Sequence, residues 1–562
     1  MANSLSKTKW NIYKQLIKPN KTNLASTVLR NRGLNKREIE KFLKPNYLED
    51  LADPMLLPDM SKALKRIKSA VDKKQKIVIY GDYDIDGITA CALLQDFFTT
   101  INANVTIYIP DRFEEGYGLN SLALQELKDE ENDLVITVDC GVTSTKESKY
   151  ADKIGLDLII TDHHDPPKDL PDKCIALINP KLKNSKYPFR ELAGVGVAFA
   201  LVRAYINKYP DSMEQGQEKW LLDLVALGTI CDVVPLVGEN RVLSSYGLKV
   251  LRKTRRVGLK ELAKSSGTEL DRTTEADLGF RFGPRLNAAG RLEHAKAALN
   301  LLLSKDAKQS VELAKKLNEL NQSRQMITQD IFLQADKQAK KQSQNLILVL
   351  SGVDWNSGVV GIVASRITEK HHKPAIVIHA NGKNSKGSAR SWGGFSIIEA
   401  IRSCSDLLDK YGGHEFAAGV SLNSENIDLF SYRINEYALK NINIESMLPK
   451  VNIDLAFEQL VPDLDYVNNL ELLRPYGNSN MQPIFSSEFD VVELKLIGDH
   501  QNHVKLRLKT GTNICDAIAF SAVHKWPQLE VGNKYKFAYY INKNVWQNIQ
   551  RPQLEIVDIS TV

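Results

Sequence analysis

Four short apolar runs recur in the first third of this chain, each followed by a helical stretch. That rhythm restricts the fold more than any other feature. "KIVIY" (76–80), "NVTIYIP" (104–110), "LVITVD" (134–139) and "LDLIIT" (156–161) read as strands, and "GITACALLQDFFTTI" and "SLALQELKDE" between them read as helices. Short apolar strands alternating with helices predict a parallel sheet covered on both faces.

A chain of 562 residues is too long for one core, and about three or four domains are expected. Residues up to about 60 are polar and Pro-spaced and read as an N-terminal helical cap. The pattern turns helical from about 215 to 300. Ser304 to Gln344 is nearly free of Gly and Pro, with Val311, Ala314, Leu317 and Leu320 at helical spacing. It reads as one long exposed connecting helix, the alternative being two helices broken near Asn321 to Ser323. "NLILVLSG" opens a second α/β unit ending near Val420. Beyond Asn452, "EFDVVELKLIG", "HVKLRLKTG", "ICDAIAF", "KYKFAYYIN" and "QLEIVDI" alternate as five short strands, suggesting a small OB-like barrel. The expected division is 1–60, 61–303, 304–344, 345–447 and 448–562.

The net charge of +6 is a mild bias that permits an acidic partner without demanding one. The six cysteines form no CxxC pair, which argues against a structural zinc site. Their scatter suits a reducing compartment. The N-terminus lacks an apolar signal region, and no stretch approaches the ~20 apolar residues of a membrane span. A cytoplasmic protein is expected.

"GDYDIDG" packs Asp82, Asp84 and Asp86 together, and carboxylates that close call for a cation. An EF-hand loop needs a Glu at its twelfth position and a preceding helix. The twelfth position from Asp82 is Leu93, and a strand precedes it, so calcium in that form is excluded. The triplet instead follows the C-terminal end of an apolar strand, where open α/β sheets keep their ligand sites. "VITVDCG" puts Asp139 at another strand end, and "LIITDHHD" puts Asp162, His163, His164 and Asp165 at a third. Asp232 in "GTICDVVPL" follows an apolar helical run. Alone, each is a common solvated turn residue. Together, carboxylates with imidazoles suit Mn²⁺ or Mg²⁺, and imidazole tilts the choice toward Mn²⁺. Two such ions about 4 Å apart activate water and stabilise a phosphate in flight.

"DYDIDG", "VDCG", "TDHH" and "GTICDVVPL" resemble the four motifs of the DHH phosphoesterases. "GSARS" (387–391) and "GGHEFAAG" (412–419) are similar to the accessory domain that usually follows. "PRLNAAGR" (284–291) and "LLRPYGNSN" (472–480) resemble signatures of one branch, the RecJ single-strand-specific exonucleases. The resemblance spans nearly the whole chain. It implies an α/β fold class: a parallel-sheet DHH domain, a smaller α/β accessory (DHHA1-like) domain joined by a long helix, and a C-terminal OB-like β-barrel. It implies that Asp84, Asp86, Asp139, His163 and Asp232 hold two divalent ions, Mn²⁺ or Mg²⁺, with Asp139 bridging. Asp82 lies beside them, and His164 faces the scissile phosphate. Asn356 stands where many relatives carry His, which bears on that position and leaves the catalytic set intact. Some relatives carry a further C-terminal domain, and contacts made there are expected to be absent.

A nuclease that works from an end must grip that end. Arg112 follows the second strand, and Ser388 and Arg390 lie in a Gly-rich loop; in the family such groups pocket a terminal 5′-phosphate. Either Arg285 or Arg291 joins them. His414 sits in a tight Gly-flanked turn, where the bland reading is a satisfied histidine at a helix N-terminus. Lys534, Lys536, Tyr539, Tyr540 and Trp546 offer a basic, aromatic barrel surface, although alternation makes half of such a strand core. The basic run "KVLRKTRRVGLK" (249–260) reads as a solvated helix face or a second groove.

The expectation is a metal-dependent 5′→3′ exonuclease that hydrolyses single-stranded DNA to 5′-mononucleotides in recombination and repair. A single-strand-binding protein or a helicase is left open as a further partner, and no membrane is involved. The alternatives are a DHH phosphodiesterase for short oligonucleotides or cyclic dinucleotides, and a non-catalytic DNA-binding protein on the same scaffold.

Overall fold

The computed structural model describes residues 4–6, 8–13, 20–112, 115–116, 118–547 and 549–562. The chain forms two compact units, each assembled from separate segments. One unit comprises Lys36–Gln322 with Leu473–Gln482, and the other Met1–Asn35, Ser323–Leu472 and Pro483–Val562.

The first unit is built on a five-stranded parallel sheet in the order Asn104–Tyr108, Lys76–Tyr80, Leu134–Thr137, Asp157–Thr161, Ala176–Ile178. All four expected strands are present, and the short strand at 176–178 extends the sheet. Pairing is in step: Tyr80 lies opposite Thr137, and Thr137 opposite Ile160. The strands therefore end along one edge. The second strand in sequence lies outside the first and the third lies on its other side, so the chain reverses its direction of travel between Lys76–Tyr80 and Leu134–Thr137. Such a switch point leaves a crevice beyond the strand ends.

Burial on both faces explains the unbroken apolar runs. Ile77 and Ile79 enter the core shared with Ile88, Leu93, Phe97 and Leu227. Their neighbours Val78 and Tyr80 point to the opposite layer, against Leu124 and Leu127, as a period of two requires. The helix Ile85–Thr100 is buried nearly all round from Ile85 to Leu94, which is the signature of a central helix. Each such Ile or Leu contributes about 1.5–3 kcal/mol on leaving water.

The second unit holds a five-stranded sheet in the order Lys410–Gly413, Ala417–Leu422, Ser385–Arg390, Ala375–His379, Leu348–Gly352. Only its last pair is parallel. The unit also holds the five expected barrel strands, Phe485–Ile497, His503–Thr510, Asn513–Ala519, Lys534–Trp546 and Ile549–Thr561. Two pairings close the barrel: Phe485–Asp490 with Lys534–Tyr539, and Ala517–Ile518 with Leu554–Glu555. Tyr539 is fully buried, whereas Trp546 is 73% exposed, the division that alternation predicted.

Three regions refine the sequence reading. Residues 1–60 carry the helices Leu24–Asn31 and Lys36–Leu43 and also a strand, Lys9–Ile12, paired in parallel with Lys450–Ile453; residues 14–19 lie outside the described residues. The long helix is continuous from Ala307 to Lys341, without a break at Asn321. The basic run at 249–260 is not a solvated face throughout, because Leu251 and Leu259 are core residues and Arg256 is held between Asp96 and Asp223.

Candidate metal centre

The acidic loop leaves the strand Lys76–Tyr80 at the switch point and turns at once into a helix. Asp84 caps that helix: its Oδ1 accepts the backbone N–H of Asp86 at 2.9 Å and of Gly87 at 3.2 Å. Gly87 admits the tight approach, since a Cβ there would lie 2.7 Å from Asp82 backbone N and O. Asp86 is held by the next layer, its carboxylate accepting N–H from Gly194 at 2.6 Å and Val195 at 2.8 Å. These are the free donors that open the helix Gly194–Lys208.

Asp139 follows the third strand in a left-handed backbone conformation, φ 61°. A non-glycine residue rarely holds that geometry without a surrounding reason. Gly194 packs against its carboxylate so closely that a Cβ would sit 2.7 Å from Oδ1. Asp162, after the fourth strand, is a local organiser. Its Oδ2 accepts Val142 N–H at 2.8 Å, and its Oδ1 accepts His163 N–H at 2.7 Å and His164 N–H at 3.0 Å. The same oxygen lies 2.8 Å from His164 Nδ1.

His163 is turned the other way. Its Nε2 lies 3.0 Å from Asp139 Oδ1, 3.7 Å from Asp86 Oδ2 and 3.7 Å from Asp232 Oδ2. Asp232 closes the helix Leu222–Cys231. Donor atoms of Asp82, Asp84 and Asp139 come within 4.8 Å of one another, as do those of Asp86, His163 and Asp232, and those of Asp139, His163 and His164. Asp139 thus belongs to more than one group. Asp165 is outside the cluster, exposed and paired with Lys181 at 3.0 Å.

The electrostatics are those of a site built around positive charge. Burial, then mutual repulsion, pushes the carboxylates of Asp82, Asp139 and Asp232 well above their ordinary range and Asp86 up to about 7. Burial, with His164 adding to it, lowers His163 to about 3, so its ring is neutral and its lone pair available. Burial opposes the charge on His164, yet the hydrogen bond and charge of Asp162 raise its pKa above the ordinary value. Asp82 Oδ1 and His163 Nε2 are buried with no hydrogen-bond partner among the described residues. Oxygen-rich donors with one imidazole, orphaned atoms and uncompensated charge fit Mn²⁺ or Mg²⁺.

Around the acids, the Arg112 guanidinium stacks 5.0 Å from the Tyr83 ring centre, and its charge acts on Asp82. Arg291 also acts on Tyr83. Arg285 points elsewhere, donating to Asn318 at 3.0 Å and to the Arg281 carbonyl at 2.8 Å. Asn287, in the same "PRLNAAGR" stretch, accepts the Ile85 N–H at 3.0 Å and so braces the acidic loop. Its single amide gave no signal in sequence. Nor did the N–H groups of Gly194 and Val195, whereas Asp162 was marked by its place at a strand end but not by its role in holding the turn.

Ser388, Arg390 and His414 belong to the other unit. Arg390 donates to Ser388 Oγ at 2.9 Å, and both face Gly361, where a Cβ would come within 3.0 Å of Ser388 Oγ. His414 lies in the hairpin turn between Lys410–Gly413 and Ala417–Leu422, its N–H on the Ala417 carbonyl at 2.8 Å. It is not at a helix N-terminus.

Comparison with known proteins decides what this arrangement belongs to. The N-terminal domain model of the DHH family matches residues 76–229, a DHHA1 domain model 344–440, and a RecJ OB domain model 451–558. The single-stranded-DNA-specific exonuclease RecJ of Bacillus subtilis (strain 168) is 38% identical over 541 residues, covering 96% of this chain and 68% of that protein. This chain belongs to the RecJ family of single-stranded-DNA-specific exonucleases. The RecJ of Haemophilus influenzae is 34% identical, with 92% of this chain and 93% of that protein covered. The crystal structure of RecJ from Thermus thermophilus in complex with Mn²⁺ superposes with a TM-score of 0.83 at 29% identity, covering 99% of this chain and 80% of that one. The parallel-sheet, accessory and barrel domains expected from sequence are thus those of the RecJ family, and among the described residues no helix is long and apolar enough to cross a membrane.

Proposed function

We propose that this protein is a cytoplasmic, metal-dependent 5′→3′ exonuclease that hydrolyses single-stranded DNA to 5′-mononucleotides in recombination and repair. The observation that carries the reading is the convergence of buried, mutually repelling carboxylates and a neutral imidazole at the switch point of the sheet. In this reading Asp84, Asp86, Asp139, His163 and Asp232 would hold two divalent ions, Mn²⁺ or Mg²⁺, Asp139 belonging to more than one donor group. Asp82 lies beside Asp84 and Asp139, close enough to contribute an oxygen. When bound, such a pair supplies activation of a water and neutralisation of the charge developing on the phosphate.

The chain's own groups do the rest. Asp162 orients the His164 ring and favours its protonated form, so that the ring could present a donor toward the scissile phosphate. Neutral His163 keeps its lone pair directed at the acids. Arg112 and Arg291 offer guanidinium groups beside Tyr83 for strand phosphates, whereas Arg285 is tied to Asn318 of the long helix. In the other unit, Ser388, Arg390 and His414 are donors to strand phosphates, and the exposed Trp546 on the barrel is suited to base stacking. A helicase or single-strand-binding protein is the class of partner that supplies or protects such a strand.

Digestion of 5′-labelled and 3′-labelled single strands, with duplex controls, in Mn²⁺, Mg²⁺ and chelator tests the reading. The 5′ label should appear at once as mononucleotide, the 3′ label only at completion, and neither in chelator. Early release of the 3′ label, or turnover in chelator, overturns it.

A further inference from the structure

The segment Leu473–Gln482 interrupts the barrel-bearing unit in sequence but packs with the acid-bearing one. It is internally stiff. Gly477 and Asn480 exchange backbone hydrogen bonds at 3.0 Å each, and the buried Asn480 side chain donates to the carbonyls of Leu473 and Pro475 at 2.8 Å. Leu473 is wholly buried, and its carbonyl accepts from Arg241 at 2.9 Å.

This segment grips the turn that carries Asp232. Asn478 Nδ2 donates to the Val233 carbonyl at 2.9 Å, and the Asn478 carbonyl accepts the Leu236 N–H at 2.8 Å. One residue therefore spans the turn immediately after Asp232. That turn needs holding: Val233 is β-branched, 63% exposed, and sits at φ 62°, a conformation such residues adopt only under outside constraint. A second leg reaches the other side. Arg474 forks onto Glu275 at 3.0 and 3.3 Å, and Tyr476 N–H donates to the same carboxylate at 3.1 Å. Glu275 opens the short helix that leads into the π-turn Leu278–Phe282, and the Leu278 carbonyl accepts from Cys231, the residue before Asp232.

We propose that Leu473–Gln482 is a brace that sets the position of Asp232, with Asn478 as its positioning residue. The chain loses two hydrogen-bonded supports for a strained turn if the brace shifts, and Asp232 Oδ2 moves relative to His163 Nε2. The inference rests on Asp232 being a metal ligand.

Mn²⁺ titration of the full chain, by calorimetry or by electron paramagnetic resonance of free Mn²⁺, reads the brace without relying on turnover. Asn478→Ala should weaken Mn²⁺ binding three- to tenfold and shift the Mn²⁺ dependence of hydrolysis by the same factor. The rate at saturating Mn²⁺, the melting temperature in chelator and the affinity for single strands in chelator should stay unchanged. Gly477→Val, whose side chain would meet Leu236 where a Cβ already comes to 2.6 Å of Cδ1, should weaken Mn²⁺ binding further. Asp232→Asn is the reference. If Asp232→Asn weakens Mn²⁺ binding and both brace variants leave it intact, the brace is overturned. If Asp232→Asn leaves Mn²⁺ binding intact, the ligand assignment fails and the brace falls with it. A melting temperature lowered with unchanged Mn²⁺ binding marks an ordinary structural segment and also overturns the proposal.

Discussion

Two buried acidic sites share the acid-bearing unit, and they have opposite character. At one, Asp223 is 2% exposed and Asp96 stands nearby, with the Arg256 guanidinium between them. Arg256 donates to Asp96 at 2.5 Å and to Asp223 at 3.1 Å, and Thr254 adds a bond to Asp223 at 2.6 Å. One guanidinium serves both carboxylates, so the buried Asp223 has its counter-charge inside the protein while Asp96 is partly open to solvent, and the pKa of Arg256, though burial opposes it, is raised by Asp223 and Asp96. At the other site Asp82, Asp86 and Asp139 are comparably buried and face one another instead. The fold uses hydrogen bonds to orient these acids and leaves their repulsion in place. Burial with compensation marks an architectural site, and burial without it marks a site that awaits a cation from solution.

The largest effect that would break this contrast is at Asp139, which belongs to more than one donor group. Asp139→Ala should reduce hydrolysis by roughly 10³-fold or more, while single-strand binding in chelator survives. Because a repelling charge is removed from a buried place, the metal-free variant should melt no lower than the parent. Normal turnover by this variant, or a large loss of stability, would put Asp139 in the architectural class. The converse experiment is Arg256→Met. It strands Asp223 without its partner, so unfolding should become easier by about 3–5 kcal/mol in chemical denaturation, with Mn²⁺ affinity untouched. A variant that kept its stability and lost Mn²⁺ binding would merge the two sites into one.

How far each site was legible in sequence follows from the same distinction. Apart from Asp232, which closes a helix, the clustered acids follow strand ends, where an apolar run stops and an Asp begins. "KIVIYGDYDIDG", "VITVD" and "LIITDHH" therefore announced both the sheet and the cluster at its edge. The closed barrel was legible because its strands alternate. Asp96, Asp223 and Arg256 lie in helices or beside them, far apart in sequence, and nothing local pairs them, so the basic run around Arg256 read as a solvated face. Supporting residues were hidden for a related reason. Asn287 and Asn478 work through one amide each, on backbone groups that only the folded chain brings near. His414 shows the limit of turn chemistry, since Gly-flanked polar residues open hairpins as readily as helices.

A smaller effect tests the layer behind the metal site. Asp162 bonds three groups on the turn it begins, both following N–H groups and the His164 ring, and the Val142 N–H on the neighbouring loop. Asp162→Asn keeps the size but loses the charge that favours protonated His164. Supporting partners of this kind are worth roughly 10–100-fold, so the rate should drop within that range. The alkaline limb of the pH–rate profile should also move to lower pH, because His164 then gives up its proton more easily. An unchanged limb with a reduced rate would show that Asp162 shapes the turn without tuning His164.

The subtlest test is of stability against pH in chelator. Carboxylates held above their ordinary range, Asp86 to about 7 among them, carry protons in the folded metal-free chain that the unfolded chain has already released above about pH 5. The folded state then binds more protons than the unfolded one. The stabilisation this represents is fully present below the unfolded carboxylate pKa and is lost as pH rises through the folded value. Melting temperature in chelator should therefore fall between about pH 5.5 and about pH 8, by about 1.4 kcal/mol of stability per pH unit for each excess proton. Mn²⁺ takes the place of those protons, so its affinity should climb over the same interval and the loss should disappear in its presence. Asp139→Ala should flatten the chelator curve and Arg256→Met should leave its slope alone, since Arg256 stays charged throughout that range. A curve equally steep in all three proteins would place the excess protons elsewhere and dissolve the distinction between the two acidic sites.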